Sequence, residues 1–198
     1  QSSALDHQTA TPINTYSKHK SCKNFLSKVI NDVKKVFVAL SGVPADLVYS
    51  LSSCGEIVKP HHKAFPDGEQ YLKFDIETQN STDTVVIQSF FPEQDRKIIE
   101  FVLALEALQG LNLRIDTAII PYLSYARQDK RFLRGEPVSV AAIFIPILKY
   151  YGVKNLVSVD VHSNSIIRLF REAGINLHNI VPHDYLARKA SVSFDVVV

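Results

Sequence analysis

From Lys34 onward, short apolar runs alternate with helical patterns, and this alternation constrains the fold more than any other feature of the sequence. Four short, predominantly apolar runs predict buried strands, at residues 36–40, 85–87, 115–120 and 156–159. Four segments with apolar residues three and four positions apart predict helices, around Leu47 and at 95–109, 137–151 and 166–172. Strands that alternate with helices form parallel sheets that helices cover on both faces. We therefore expect an α/β fold of this kind.

The chain divides into three parts by its composition. Residues 1–33 are polar, and we expect them to form a mobile extension. Residues 34–181 contain the alternating pattern and are expected to form one domain. Residues 182–198 end in the apolar run Phe-Asp-Val-Val-Val, which is typical of a strand at the start of a second, similar domain. Because the chain begins with Gln1, contains no methionine and stops at a strand-like run, we expect a fragment of a longer protein.

Composition and charge argue against several classes of function. The chain is 46% hydrophobic and 21% charged, an ordinary globular mixture unlike that of a disordered or collagen-like chain. It has no run of about 18 apolar residues, so no membrane association is expected. The net charge is +2 and residues 34–198 are electrically neutral, so no nucleic-acid partner is expected. Cys22 and Cys54 fit neither a metal motif nor a disulfide framework, which favours a reducing, cytoplasmic location.

A local excess of positive charge follows the predicted strand at 115–120. The segment PYLSYARQDKRFLRGE at 121–136 is long for a strand-to-helix connection, and long structured loops are usually functional or mobile. Its charged side chains are Arg127, Lys130, Arg131 and Arg134, with Asp129 among them. Arginine is suited to bidentate phosphate contacts. The segment is therefore either a phosphate-binding loop or a solvated charged loop.

The segment FPDGE at 65–69 has two interpretations. Pro-Asp-Gly favours a tight turn before a strand at 70–74, and such a turn needs no function. The turn does not explain why Phe65 stands beside two carboxylates, Asp67 and Glu69. An aromatic face with adjacent hydrogen-bond acceptors could hold a purine and its exocyclic amine.

The segment VDVHS at 159–163 lies at the end of a predicted strand. Side chains alternate in an extended chain, so Asp160 and His162 project to the same side. A carboxylate and an imidazole at the mouth of a parallel sheet could place a divalent ion or its waters, although Mg²⁺ prefers oxygen ligands. The alternative is a residue that caps the following helix, next to a buried, hydrogen-bonded histidine.

In their order and spacing, these three segments together resemble the N-terminal half of the ribose-phosphate diphosphokinase (phosphoribosyl-pyrophosphate synthetase) family, in its archaeal form. The resemblance covers residues 34–198, and its most specific part is YARQDKR within IPYLSYARQDKRFLRGEPVS at 120–139. It implies a phosphoribosyltransferase-like domain. It also implies transfer of the diphosphoryl group of ATP to the anomeric hydroxyl of ribose 5-phosphate, with Mg²⁺ as the cofactor.

The resemblance also implies a role for each matching residue. An adenine site shared between subunits of a homo-oligomer would take Phe65, Asp67 and Glu69 from the neighbouring subunit. The loop residues that would hold ATP are Arg127 and Gln128, with Asp129 and Lys130 in the same loop. His162 would contact the metal–triphosphate group, and Asp160 would support it.

Part of the family pattern is absent from residues 1–198. The ribose-5-phosphate loop, an acidic pair followed by Thr-Gly-Gly-Thr, and the mobile catalytic loop do not occur. We therefore expect the catalytic residues beyond Val198, and we expect this chain to bind part of ATP without turnover. A non-catalytic regulatory homologue that oligomerises with active subunits is the alternative. A type I phosphoribosyltransferase is disfavoured because it should contain the acidic pair and Thr-Gly-Gly-Thr.

Overall fold

The fold is seen in a computed structural model, which describes residues 35–76, 83–161, 163–183 and 186. The predicted extension at 1–33 lies outside these ranges, and so do all but three positions of the predicted second-domain start at 182–198. Within the described ranges, no helix combines the length and the apolar character that crossing a membrane requires.

The described helices and strands alternate along the chain. In order they are β1 (Val36–Ala39), α1 (Ala45–Ser52), β2 (Glu56–Val58), β3 (His61–Ala64), β4 (Gln70–Lys73), β5 (Asp83–Ile87), α2 (Gln94–Gly110), β6 (Arg114–Ile120), α3 (Ser139–Tyr150), β7 (Asn155–Val159), α4 (Asn164–Glu172) and β8 (Asn176–Ile180). Six strands form one sheet in the order β2–β1–β5–β6–β7–β8, and every neighbouring pair is parallel. β3 and β4 pair antiparallel as a separate hairpin. The parallel α/β fold is therefore confirmed.

Helices cover both faces of the sheet. In β1, Val36 and Val38 belong to the larger core and Phe37 between them belongs to the smaller one, because successive side chains point to opposite faces. α2, α3 and α4 pack in the larger core, each with one fully buried phenylalanine: Phe101, Phe144 and Phe170. α1 packs on the opposite face through Leu51. Burial of each such side chain contributes about 1.5–3 kcal/mol.

The carboxyl edge of the sheet is well ordered by backbone hydrogen bonds. All residues of β1 and β5 are buried. Beyond the strands, Leu40 N donates to Ile87 O at 3.0 Å, and Gln88 N donates to Ile119 O at 3.0 Å. The pairing thus continues into the segments that follow the strands, which fixes where the next side chains lie.

Three strands were not predicted from the sequence. β2, β3 and β8 have the mixed or polar sequences EIV, HHKA and NLHNI. β2 and β8 are edge strands and β3 belongs to the hairpin, so none of them is buried along its whole length. Apolar periodicity reports burial, and it is weak in such strands. The strand predicted at 70–74 is confirmed as β4.

Candidate functional site

A cavity of about 660 Å³ opens at the carboxyl edge of the sheet, where β6 and β7 end. Three segments line it: residues 122–128 after β6, residues 159–161 at the end of β7, and residues 94–95 at the start of α2. Because β5, β6 and β7 are neighbours in the sheet, the segments that follow them meet at one place. Open parallel sheets bind ligands at this edge, and the volume is typical of a small-molecule site.

Arg127 supplies positive charge to this cavity. It lines the wall, is exposed to solvent, and makes no hydrogen bond or ion pair with another residue of the described ranges. Its N–H donors are therefore available to a ligand. A guanidinium group that can bond through two donors at once suits a phosphate or a carboxylate.

The other three cations of the 121–136 loop are exposed and do not line the cavity; they are Lys130, Arg131 and Arg134. The Lys130 ammonium lies 5.0 Å from the centroid of the Phe132 ring, which is a cation–π distance. The structure therefore divides the predicted cationic loop into one cation at the cavity and three cations outside it.

Tyr125 anchors the loop to the start of α2. Its hydroxyl donates a hydrogen bond to Asp95 Oδ1 in the first turn of that helix, and both residues line the cavity. This hydrogen bond raises the pKa of the Tyr125 phenol, because ionising the phenol would remove the donor beside a carboxylate. The bond therefore fixes the backbone two residues before Arg127.

Two further anchors follow Arg127 in the loop. Ser139 Oγ, at the start of α3, donates to Gln128 Oε1. Ser163 Oγ, at the N-cap position of α4, donates to Asp129 Oδ2 at 2.5 Å. Together with the Tyr125 bond, these contacts hold the loop on both sides of Arg127, which reduces the conformational entropy that ligand binding must remove.

Two residues of the cavity wall have left-handed backbone conformations. The φ angle is 58° at Tyr125 and 51° at Asp160. Positive φ is uncommon away from glycine, costs on the order of 1–3 kcal/mol, and is concentrated at functional sites. The surrounding structure holds these conformations through the Tyr125 hydrogen bond and through Asp160 N, which donates to Ile180 O at 2.9 Å.

Asp160 reaches the same cavity as Arg127. It follows the last residue of β7 and is exposed, and the next residue, Val161, donates its N–H to Asn179 Oδ1 at 2.9 Å. His162, the other half of the predicted metal pair, lies outside the described residues. The structure thus brings Arg127, Gln128 and Asp160 to one cavity.

Phe65, Asp67 and Glu69 lie elsewhere, in the turn of the β3–β4 hairpin. The turn is closed by Phe65 N, which donates to Glu69 O at 2.7 Å, and by Glu69 N, which donates to Asp67 Oδ1 at 3.1 Å. The Phe65 ring is 41% exposed and packs edge-on against Tyr71, with centroids 5.9 Å apart. None of the three residues lines the 660 Å³ cavity of its own chain.

The sequence did not single out Asp95 and Tyr125 as site residues. Tyr125 lies within the recognised loop, but a tyrosine there carries no chemical signature of its own. Asp95 opens a predicted helix, where an acidic residue is common because it stabilises the helix dipole. Only the adjacency of β5 and β6 shows that the two side chains meet, since 30 positions separate them along the chain.

The parallel sheet, with its cavity at the carboxyl ends of the strands, places the chain in the class of open α/β domains that bind ligands at that edge. Residues 46–152, more than half of the chain, match the family model for the N-terminal domain of ribose phosphate pyrophosphokinase. The chain belongs to this family, and the resemblance seen in the sequence is confirmed.

Curated relatives carry the same family name. The ribose-phosphate pyrophosphokinase of Sulfolobus acidocaldarius is 38% identical over 114 residues, which cover 58% of this chain and 38% of the relative. That of Saccharolobus solfataricus is 35% identical over 151 residues, which cover 76% of this chain and 50% of the relative. The chain therefore spans half or less of the length of these two relatives.

Among solved structures, the phosphoribosylpyrophosphate synthetase of Mycobacterium smegmatis superimposes with a TM-score of 0.69 at 24% sequence identity. The superposition covers 79% of this chain and 52% of that one. At this level of sequence identity, the structural similarity supports the fold of this chain alone.

Proposed function

We propose that this chain is the ATP-binding half of a ribose-phosphate diphosphokinase, which makes phosphoribosyl pyrophosphate for nucleotide biosynthesis in the cytoplasm. The observation that carries the proposal is the position of Arg127, an arginine without a partner in the described residues, in the same cavity as Asp160. Membership of the family supplies the reaction class.

In the proposed reaction, the anomeric hydroxyl of ribose 5-phosphate loses its proton to solvent as its oxygen forms a bond to the β-phosphorus of ATP. The bond between the β-phosphorus and the oxygen bridging it to the α-phosphorus breaks, and AMP leaves with that oxygen. Such a transfer depends on positioning and charge neutralisation. Arg127 would bind the triphosphate, with Gln128 beside it and with Lys130 adding positive charge from the rim of the loop.

The donor groups at the cavity fit a Mg²⁺ ion that arrives with the nucleotide. Mg²⁺ binds through one or two carboxylates together with substrate phosphates. No group of three or more metal-binding side chains occurs in the part of the chain that the structure describes. Asp160 offers one carboxylate at the cavity and would hold the ion, with His162 as its partner in the sequence motif. When bound, the ion would neutralise phosphate charge.

The adenine site requires a second copy of the chain in this proposal. The exposed Phe65 ring could stack on a purine, and Glu69 could accept from its exocyclic amine. The hairpin that carries them does not line the cavity of its own chain, which supports a homo-oligomer in which the hairpin of one copy completes the site of another.

An arginine substitution tests the proposed triphosphate site. Arg127→Ala should weaken ATP binding by about 1.5–3 kcal/mol, since hydrogen bonds to a charged group are lost, and isothermal titration calorimetry measures this change. Arg134→Ala removes the same charge from the same loop but not from the cavity wall, so it is the matched control. Equal ATP affinity in the two variants would contradict the assignment.

A further inference from the structure

Asp95 is a second charged group on the wall of the Arg127 cavity, and its charge is opposite. Its Oδ1 accepts the hydrogen bond of the Tyr125 hydroxyl, while its Oδ2 has no hydrogen-bond partner and the carboxylate no ion pair within the described ranges. The carboxylate is therefore held in one orientation and keeps an acceptor for a ligand.

The chemistry of this acceptor limits what it can bind. An ionised carboxylate only accepts hydrogen bonds, so it attracts hydroxyl or amine donors and repels phosphate oxygens. A nucleotide whose phosphates lie on Arg127 also carries hydroxyl donors, on its ribose. The cavity thus has a cationic group suited to the phosphates and an anionic group suited to the sugar.

We propose that Asp95, oriented by Tyr125, accepts a hydrogen bond from a ribose hydroxyl of the nucleotide bound at Arg127. This inference rests on the proposed function and extends it to the choice of sugar. The site selects ribonucleotides, because a deoxyribonucleotide leaves the carboxylate without its donor while the nucleotide still covers it. A site that is built to bond a substrate hydroxyl discriminates against the analogue that lacks it.

Nucleotide analogues provide the first test. Titration calorimetry on the full chain compares ATP with 2′-deoxy-ATP and 3′-deoxy-ATP, and tripolyphosphate probes the Arg127 subsite alone. We expect one deoxynucleotide to bind about 10- to 100-fold more weakly than ATP, the value of a hydrogen bond to a charged group. Equal affinity for all three nucleotides would overturn the inference and leave the proposed function standing.

Substitution of Asp95 provides the second test. Asp95→Ala should lower ATP affinity to the level of the discriminated deoxynucleotide, and it should not weaken binding of tripolyphosphate. Asp46→Ala is the matched control, since Asp46 is also an exposed aspartate in the first turn of a helix but lies outside the cavity. If Asp95→Ala still bound ATP more tightly than the deoxynucleotide by the wild-type factor, the inference would be overturned.

Tyr125→Phe provides an independent variant, because it keeps the carboxylate and removes the hydrogen bond that orients it and anchors the loop before Arg127. We expect Tyr125→Phe to reduce the difference in affinity between ATP and the discriminated deoxynucleotide. If Asp95→Ala no longer binds tripolyphosphate, the result for Tyr125→Phe decides whether the inference holds. If Asp95 instead held Mg²⁺, Asp95→Ala would weaken the binding of all three nucleotides equally. That result would count against the inference. Wild-type protein that binds neither ATP nor tripolyphosphate would overturn the proposed function itself.

Discussion

At the scale of single residues, Gly42 sets how closely the loop after β1 approaches α2. Its φ is +74°, and a Cβ at this position would lie 2.3 Å from Lys97 Nζ. That ammonium is buried and donates to Phe91 O at 2.9 Å. One turn along α2, the buried Glu100 accepts a hydrogen bond from Ser41 N at 2.9 Å. The absence of a side chain at Gly42 therefore allows a close contact between the loop and the helix.

We predict that Gly42→Ala destabilises the protein more than Gly152→Ala does. Both glycines have left-handed φ angles, +74° and +72°, so alanine strains the two backbones similarly, but nothing lies within 4 Å of a Cβ at Gly152. At Gly42 the buried Lys97 ammonium must shift from the position in which it donates to Phe91 O, which should cost up to about 1.5–3 kcal/mol more. Urea unfolding measures the free energy of unfolding of each variant. If both variants lost the same free energy of unfolding, packing around Gly42 would add nothing to the cost of the backbone strain.

At the scale of elements, the ends of three helices position one loop. The 121–136 loop has no regular secondary structure, yet Tyr125, Gln128 and Asp129 each form a hydrogen bond to a residue at the start of α2, α3 or α4. All three helices pack in the larger core, which holds them against the sheet. The position of Arg127 thus depends on helix packing as well as on the sequence of its own loop.

We predict that Ser139→Ala and Ser163→Ala, as two separate variants that each remove one anchor, loosen the loop without unfolding the domain. Each lost side-chain hydrogen bond is worth about 1 kcal/mol, so ATP affinity should fall about fivefold for each variant. Hydrogen–deuterium exchange should rise in 122–131 and stay unchanged in the core strands.

The control for these variants is Ser50→Ala. It removes a hydrogen bond within α1, away from the loop, in which Ser50 Oγ donates to Asp46 O at 2.8 Å. It should change neither ATP affinity nor exchange in 122–131. Anchor variants that exchange like this control would show that the serines do not restrain the loop.

The strands that apolar runs predicted are those with a neighbouring strand on each side in the parallel sheet; β4 was predicted from the turn before it. β1, β5, β6 and β7 lie inside the sheet, and most of their residues are buried, so their sequences are predominantly apolar. The edge strands and the hairpin meet solvent on one side, so their composition is mixed. Which strands are neighbours is a property of the folded sheet that no local pattern encodes.

The same limit applies to the candidate site. Arg127 and Asp160 could be found because each follows a predicted strand, and parallel strands end at one edge of a sheet. The Asp95–Tyr125 pair could not be found in this way, since an acidic residue at a helix start and a tyrosine in a loop both have ordinary explanations. The hydrogen bond between them follows from the packing of α2 against β6, which depends on the whole fold.

At the scale of the whole molecule, the two groups of residues that we propose to bind a nucleotide lie on separate surfaces of the chain. One is the cavity with Arg127 and Asp160, and the other is the hairpin turn with Phe65, which does not line that cavity. The hairpin is tied to α2 by Gln70 Nε2, which donates to Arg96 O at 2.7 Å. A domain that holds its aromatic turn away from its own cavity can offer the turn to the cavity of a second copy.

We predict that mixing the Phe65→Ala and Arg127→Ala variants of the full-length protein restores part of the activity that each lacks alone. In a shared site, the Arg127→Ala copy supplies an intact Phe65 to the intact cavity of the Phe65→Ala copy, and a coupled assay of phosphoribosyl pyrophosphate formation measures the recovery. The matched control mixes Arg127→Ala with Asp160→Ala. Both of these residues line the cavity of one chain, so every cavity lacks one of them and no recovery is expected. Failure of the first mixture to regain activity, in subunits shown to exchange, would mean that each chain builds its site alone.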